Sequence, residues 1–533
     1  MKVLVTCGLV AATLVSPALA QPVFNYIDRI GLYDAPDSSG NHHNIIRVSA
    51  PTGYFAGEGG GGWGWVAGPT GTTTRIGLME DDGDSYVNEV HLINRNGQVA
   101  GLTHRYGDSR VDYSQTGWVA NSDGTTRSIG IIPTYLNNAG VVVGTWYRFT
   151  GPTEAALVDA AGTLHPLGTF GGFSSVAGLN EAGYVIGKSF SYTMRYDAWL
   201  RSPSGEYTVL GLFGPEYEHP EGDQNFARHL NDAGWISGTT ALMVGANETQ
   251  VTWRRTPEGV TSRIGMYADN YLRTSPSAMN ASGEVLGVSI NLENAQDTRW
   301  WLATPEGITR SIGLFDAAHT YGGRVYSRVH ALTNSGYMYG NANRFTPAGG
   351  GLGQDAFLAH RSGSTRVLSL TDSKHTAPGG YRFSEASGIN DSPVVWGYNR
   401  RYFGGWTQRG QTAWFYDSQT RTMRSLELSV RPSDGYAFSK IIKVLKNGTV
   451  LGTYTRFVGN TDTGERAFAW IPGRGVVKID VNLDVDVKAQ GWNYFESAEF
   501  ASAAGHIAGT GSLAGGDGSS FGVFLVRRNP AAP

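Results

Sequence analysis

One phrase recurs along the chain and constrains its fold more than any other feature. The phrase is a short polar turn, N-x-x-G, followed by alternating apolar residues that end in a glycine, and its clearest copy runs from Leu179 to Gly187. Ten copies follow one another at intervals of 43 to 57 residues. Their closing glycines are Gly57, Gly101, Gly144, Gly187, Gly238, Gly287, Gly340, Gly397, Gly452 and Gly509. Self-similarity at this period indicates a repeat architecture.

Each copy has the pattern of four short antiparallel strands. In the fourth copy the pattern predicts strands at 175–179, 184–190, 197–200 and 207–212. The turn between the first two runs from Asn180 to Gly183, residue types that tolerate a positive φ. Alternation of apolar residues gives the period of two that is typical of strands. Four strands in a unit of this length are typical of a propeller blade, so we predict an all-β propeller over residues 21–533.

The two ends of the chain indicate how the propeller closes. The tenth copy ends after a third strand at Val523 to Val526, whereas an unpaired fourth-strand marker, Ile30-Gly31-Leu32, precedes the first copy. We predict that an N-terminal strand over 26–32 completes the last blade and removes the exposed edges. An open solenoid is the structural alternative. About ten units exceed the usual four to eight blades, so merged units or a ring split in two stay open.

Residues 1–20 have the pattern of a signal peptide. Lys2 precedes an apolar run that is too short to span a bilayer, and Ala18-Leu19-Ala20 is an A-x-A cleavage site. A buried N-terminal strand is the alternative. The single cysteine, Cys7, lies inside this segment, so the mature chain would have no thiol, disulfide or cysteine metal site. No later segment is apolar enough to anchor the chain, so we expect a secreted protein without a membrane partner.

Composition excludes other classes of function. The chain has 42 Lys+Arg against 45 Asp+Glu, a net charge of −3, and so lacks the cationic excess that nucleic-acid binding requires. No HExxH zinc motif occurs. The loop from Glu80 to Asp84 is rich in carboxylates and could hold a structural Ca²⁺, although a solvated acidic loop explains it too. No other metal or cofactor is predicted.

The repeat resembles a known family. Leu167-Gly168-Thr169-Phe170-Gly171-Gly172, followed by Asn180, Gly187 and Ala198-Trp199-Leu200, resembles the bacterial HAF extracellular repeat, with Asp-Ala-Trp at 197–199 in place of His-Ala-Phe. Among characterised secreted propellers, the chain looks most like the ulvan lyases, which cleave an anionic algal polysaccharide by β-elimination. That resemblance implies His and Tyr as base and acid, with Arg neutralising the uronate carboxylate.

The repeats also locate candidate site residues, because each unit serves as a control for the others. The residue six positions before the turn glycine is Ala, Ser or Thr in four units, but five units carry a charged or imidazole side chain there. These residues are Arg47, His91, Arg228, His330 and Glu499. If they point into an axial funnel, they converge on one spot, as catalytic groups on rigid scaffolds do. The alternative is a set of solvated residues at strand ends.

A second recurrence places an arginine before an aromatic residue on the second strand, as in Arg105-Tyr106 and Arg344-Phe345. Recurrence in half of the units favours a structural role, in which the guanidinium stacks or pairs on a neighbouring blade. A substrate role applies best to Arg105 and Arg344, which share their units with His91 and His330. His104 adds a second imidazole beside Arg105.

Together these residues suggest a lyase that acts on a uronate-containing glycan. β-Elimination needs a base for the proton α to the carboxylate, a cation for the developing charge and an acid for the leaving oxygen. We assign the proton-transfer groups to His91, His330, His104 and Tyr106, and carboxylate or sulfate binding to Arg47, Arg105, Arg228 and Arg344. The competing hypothesis is a non-catalytic extracellular propeller that binds a glycan or a partner through many weak sites.

Overall fold

The computed structural model describes most of the chain and shows an all-β protein. It describes residues 24–33, 42–80, 85–106, 112–147, 153–168, 173–190, 196–217, 219, 224–244, 247–267, 273–291, 294, 297–402, 405–479, 487–502, 505–514 and 520–528. Apart from the strands, the described residues contain three single turns of 3₁₀-helix, at Gly60–Gly62, Pro215–Tyr217 and Pro378–Gly380. None of these is long and apolar enough to cross a membrane.

Within the described residues the strands group into ten antiparallel blades that follow the order of the sequence repeat. Short parallel pairs join blade 4 to blade 5, blade 7 to blade 8 and blade 8 to blade 9. Blades 1 to 5 comprise Ile45–Ser49, Phe55–Glu58, Gly64–Ala67 and Thr73–Ile76; Ser85–Ile93, Val99–Tyr106, Asp112–Ala120 and Thr126–Ser128; Ile132–Leu136, Val142–Trp146, Glu154–Val158 and Leu164–Leu167; Phe173–Leu179, Val185–Phe190, Tyr196–Arg201 and Tyr207–Leu210; and Gln224–Leu230, Ile236–Val244, Asn247–Arg255 and Thr261–Ile264.

Blades 6 to 10 comprise Arg273–Met279, Val285–Ile290, Thr298–Ala303 and Thr309–Ile312; Ser327–Leu332, Tyr337–Phe345, Gly351–His360 and Thr365–Leu368; Arg382–Ile389, Val394–Arg400, Gly410–Asp417 and Thr422–Leu426; Ala437–Val444, Val450–Val458, Thr461–Ile471 and Gly475–Lys478; and Trp492–Phe495 with Phe500–Ala501, Ile507–Leu513, Phe521–Arg528 and Phe24–Ile30. A small hairpin, Thr320–Tyr321 with Arg324–Val325, lies between blades 6 and 7. The propeller prediction is confirmed.

The N-terminal strand completes the last blade, as the sequence predicts. Phe24–Ile30 pairs antiparallel with Phe521–Arg528, with Ile30 opposite Val523. Ile30 and Val523 share one apolar core with Phe55 and Trp65 of blade 1, so the tenth blade packs directly on the first. The predicted signal peptide lies outside the described residues.

The recurring turn asparagine joins neighbouring blades, a role different from the positive φ that the sequence predicts. Among the described residues outside glycine, positive φ occurs at Arg421, and the turn asparagines do not adopt it. Instead, Asn180 Oδ1 accepts a hydrogen bond from Tyr184 N at 2.9 Å, which closes its own turn. Its Nδ2 donates to Asn231 O of the next blade at 3.2 Å, and Asn137 Nδ2 donates in the same way to Asn180 O at 3.3 Å. The expectation that Asn supplies a positive φ is therefore wrong.

The closing glycine of each copy is explained by packing. A Cβ at Gly187 would collide with Ser175 O on the first strand and with the Trp199 ring on the third. Trp199 is fully buried, and large aromatic side chains are equally buried at the same place in other blades. Because the indole and the carbonyl both crowd this position, any side chain larger than hydrogen is excluded.

Candidate functional site

A β-bulge recurs on the first strand of the blades, at the column of residues that the sequence singles out. The pairing register with the second strand shifts between Ile46 and Val48, and between Val90 and Leu92, so Arg47 and His91 are the extra residues. Seven more blades have the same shift, centred on Thr134, Ala177, Arg228, Ser277, His330, Ser387 and Ile442. In blade 10, Glu499 lies between the two short pieces of the first strand.

The bulge explains why this column can carry functional side chains. A bulged residue is released from the regular ladder, and bulges are found next to active sites because they redirect a side chain. The first strand lies at one edge of its own blade, and in blades 5, 8 and 9 it also pairs briefly in parallel with the third strand of the preceding blade. From blade 1 to blade 7 the first strands of successive blades pack together. We call this edge the inner edge. Arg47, His91, Arg228 and His330 are all exposed there.

Four of the predicted site residues lie together on blades 1 and 2. Arg47 Nη2 binds Glu58 Oε2 at 2.8 Å, and Glu58 Oε1 accepts from Val90 N at 3.1 Å. This hydrogen bond to Glu58 raises the pKa of Arg47. Glu89 is also close enough to act on Arg47 electrostatically. Its Oε2 lies 3.2 Å from His91 Nε2. The group comprises Arg47, Glu58, Glu89, His91, His104 and Tyr106, and we call it the blade 1–2 cluster.

The second imidazole of the blade 1–2 cluster lies on the other side of Glu89. His104 Nε2 is 3.6 Å from Glu89 Oε1. The Tyr106 ring stacks on the His104 ring with centroids 6.2 Å apart and an interplanar angle of 19°. The side chains of Glu89 and His91 are 46% and 35% exposed, whereas that of His104 is 14% exposed. The Glu89 carboxylate can fix the tautomer of His91 and support proton transfer from the open side, whereas His104 Nε2 lies beyond hydrogen-bond distance of it.

His330 has a different environment, on blade 7. Its Nε2 lies 2.9 Å from Asn341 Nδ2, and its ring centroid is 5.4 Å from that of Tyr339. Burial lowers its pKa, and the nearby Arg328 lowers it further. The described contacts of His330 are to blade 7 and blade 8, five blades along the chain from His91. These contacts do not place the two histidines in one spot.

Arg344 is mostly buried, in a polar network between blades 7 and 8. Its Nε lies 3.2 Å from Asp355 Oδ2, and its Nη1 donates to Gly380 O of the loop that leads to blade 8 at 3.1 Å. Arg382 binds the fully buried Asp355 through two parallel bonds of 2.7 and 2.6 Å. His319 Nε2 lies 3.2 Å from the same carboxylate. We call Asp355, His319, Arg344 and Arg382 the blade 7–8 network, and the geometry favours the structural role of Arg344.

The two remaining predicted arginines pack on aromatic rings. The guanidinium of Arg105 lies 5.8 Å from the Tyr86 ring centroid, and that of Arg228 lies 5.5 Å from the Phe226 ring centroid. Both contacts are within the range of cation–π interactions. Arg228 is exposed on the inner edge of blade 5. Burial lowers the pKa of the neighbouring Lys188, and the positive charge of Arg228 lowers it further.

Sequence reasoning did not find the two carboxylates of the blade 1–2 cluster. Glu89 lies two residues before the bulge, and the same position is charged in three other blades, where it carries Arg328, Glu385 and Lys440. Comparing this second column across the repeats reveals these charges. Glu58 directly follows the closing glycine of the first copy, a position that the repeat leaves variable.

The residues that could hold a metal are limited. Within the described ranges, no group of three or more His, Cys, Asp or Glu side chains has the geometry of a metal site. The proposed Ca²⁺ loop, Glu80 to Asp84, lies largely outside those ranges.

Comparisons with known proteins identify no family. No protein-family model matches the chain, and no curated protein matches it. The β-propeller domain of the Trilobed protease from Pyrococcus furiosus shares 10% identity over 65% of this chain and 97% of its own, with a TM-score of 0.33. Dipeptidyl peptidase 4 of Porphyromonas gingivalis shares 12% identity over 79% of this chain and 65% of its own, with a TM-score of 0.44.

An oligogalacturonate lyase in complex with manganese shares 10% identity over 59% of this chain and 93% of its own, with a TM-score of 0.29. Similarities this low say nothing about activity. The assignment to the propellers stands on the strand pairing.

Proposed function

We propose that the protein is a secreted polysaccharide lyase that cleaves a uronate-containing, ulvan-like glycan by β-elimination at the blade 1–2 cluster. The observation that carries this proposal is that Arg47, His91, His104 and Tyr106 lie together around Glu89, open to solvent on one side. These are the residue types that the reaction requires. The HAF-type repeat and the predicted signal peptide suggest an extracellular substrate.

The proposed roles follow from exposure and contacts. His91 is the more exposed imidazole and acts as the base that removes the proton α to the carboxylate. Arg47 is 51% exposed and uses one Nη2 on Glu58, so its other N–H groups can bind the substrate carboxylate and stabilise the enolate-like charge. Tyr106, stacked on His104, supplies the proton for the leaving oxygen.

His330, Arg105 and Arg228 are assigned roles outside the bond-breaking step. His330 and Arg228 occupy the bulge position of blades 7 and 5, where a long polymer on the inner edge would meet them. Arg105 lies one residue from both His104 and Tyr106, so it would contact the same sugar or its neighbour. Arg344 is left out, because its guanidinium already binds Asp355.

The test is to incubate the purified protein with ulvan and with polygalacturonate and to follow the ultraviolet absorbance of the new C4=C5 bond. We expect His91→Ala and Tyr106→Phe each to lower the rate by about 10²- to 10⁴-fold, the usual contribution of a general base or acid. His165→Ala is the matched control, because His165 also binds a carboxylate, Asp159 at 3.1 Å, but on the outer strand of blade 3. Full activity in both cluster variants contradicts the proposal.

A non-catalytic glycan-binding propeller is the second candidate. It is favoured by the bulge that recurs blade after blade and presents a different side chain each time, which suits many weak contacts along a polymer. Retention on glycan columns without any absorbance change on uronate polymers would support this candidate over the lyase.

A further inference from the structure

The lysines of this chain are concentrated on one inner strand. Of eight lysines in the sequence, three are Lys440, Lys443 and Lys446, on the first strand of blade 9 and the turn that follows it. All three are exposed, and the buried Ile441 and Val444 lie between them. No other blade has cations at both flanks of its bulge, at the positions of Lys440 and Lys443.

The bulge at Ile442 places Lys440 and Lys443 on the same face of the sheet. In a regular strand, residues three apart point to opposite faces. Here Lys440 is opposite Thr453 and Lys443 is opposite Leu451, two residues apart on the partner strand. Since partners two apart share a face, the extra residue brings the two ammonium groups to one side.

Both lysines line a cavity that several blades form together. Lys440 and Lys443 border a cavity of about 520 Å³ with Ser387 of blade 8 and Glu499 of blade 10. Lys443 and Lys446 border a second cavity of about 530 Å³, whose wall includes residues 49–51. Those residues belong to the strand and turn that follow Arg47, so the second cavity extends from blade 9 to the strand that carries Arg47.

Among the described residues, none of the three lysine ammonium groups forms an ion pair with a carboxylate. Glu499, in the first cavity, accepts hydrogen bonds from the hydroxyls of Ser497 and Thr510. Asp391, in the second, accepts from Asn334 N at 3.1 Å. Like charges gathered in concave surfaces repel one another and attract anions from solution.

We propose that the inner strand of blade 9 binds the acid groups of a carboxylated or sulfated polysaccharide, at a subsite separate from the blade 1–2 cluster. The ligand class rests on the proposed function. The lysines neutralise the acid groups, and the apolar walls of the second cavity, among them Leu332 and Ile389, face the CH surfaces of the sugar rings. The subsite would hold the polymer several sugars away from the bond that is cleaved.

The test measures binding without turnover, by affinity electrophoresis in polygalacturonate, in dextran sulfate and in neutral dextran. The variant combines Lys440→Gln, Lys443→Gln and Lys446→Gln. The control combines Lys374→Gln, Lys478→Gln and Lys488→Gln, which removes the same charge elsewhere. We expect the first triple variant to bind at least one acid polymer about tenfold more weakly, because it removes three positive charges that face the polymer.

Every outcome of these binding measurements either supports or contradicts the subsite on blade 9. Weakened binding of dextran sulfate but not polygalacturonate identifies sulfate as the group recognised, and the reverse identifies carboxylate. Unchanged binding in the first triple variant, an equal loss in the control, or no binding of either acid polymer by the unmodified protein overturns the inference. Lysine-dependent binding without any elimination product would contradict the lyase proposal and support this subsite. Elimination by the unmodified protein, with binding unchanged in the first triple variant, would support the lyase proposal and contradict this subsite.

Discussion

The blade 1–2 cluster and the blade 7–8 network contain the same residue types in opposite surroundings. Each joins imidazole, guanidinium and carboxylate groups. In the blade 7–8 network, Asp355 is completely buried and binds Arg382, Arg344 and His319. In the blade 1–2 cluster, Glu89 and Arg47 keep about half of their side-chain surface exposed.

This difference in solvent exposure separates a structural group of residues from a group that can bind a ligand. A buried carboxylate with several cationic partners has no capacity left for a ligand, and its loss leaves charges without a partner in a low dielectric. A half-exposed carboxylate between two imidazoles can exchange protons and partners with a substrate. Residue types alone therefore do not identify a site in this repeat, because solvent access decides between the two roles.

The largest expected contrast is in stability. Asp355→Ala removes the buried counter-charge of Arg344 and Arg382, whose side chains are only 11% and 21% exposed, so we expect a loss of about 3–5 kcal/mol in the free energy of unfolding. Glu89→Ala removes an exposed partner and should cost less than about 1 kcal/mol. Urea unfolding followed by tryptophan fluorescence compares the two. Equal small losses would show that the blade 7–8 network is not the structural centre that its burial indicates.

A smaller effect distinguishes two histidines that occupy the same place in consecutive connecting loops. Burial alone would lower the pKa of His319, but its hydrogen bonds to Asp355 and Asp316 outweigh burial and raise the pKa. His375 faces Asp372 and the hydroxyl of Thr412, and there burial prevails and lowers the pKa.

The two histidines should thus give opposite pH trends. The stability that His319 contributes is complete below its unfolded pKa of about 6.5 and is lost as the pH rises through its higher folded pKa. That of His375 is lost as the pH falls from about 6.5 through its lower folded pKa. Melting temperatures between acidic and mildly alkaline pH check this. His319→Asn should remove the decline on the alkaline side and His375→Asn the decline on the acidic side; the same trend in both variants would contradict the assignment.

Much of the fold follows from the sequence, because the repeat makes the strands visible. The predicted strands of blade 4 agree with Phe173–Leu179, Val185–Phe190, Tyr196–Arg201 and Tyr207–Leu210 to within two residues at each end. The bulge was not predicted, since one extra residue per strand does not disturb a pattern that every unit shares. The contact of the turn asparagine could not be predicted from the local motif, because its partner lies in the next blade, 51 residues away for Asn180.

Less of the site follows from the sequence. Comparison of equivalent positions among the repeats predicts Arg47 and His91 as site residues. His104 and Tyr106 are predicted because they flank Arg105 in the same unit as His91. The burial of Arg344 could not be predicted, because it depends on Asp355 and on a loop carbonyl 36 residues away. Glu58 and Glu89 were missed because they lie outside the column that was compared. The substrate roles of all these residues stay predictions.

The smallest expected effect concerns salt. The exposed ion pair of Arg47 and Glu58 should couple by about 0.2–1 kcal/mol in a double-mutant cycle of Arg47→Ala and Glu58→Ala. Because the Debye length falls to about 3 Å at 1 M salt, this coupling should approach zero there. The buried pair of Arg382 and Asp355 should keep its coupling in the same experiment. A salt-insensitive pair at Arg47 would mean that water does not reach the blade 1–2 cluster, and a polymer could not reach it either.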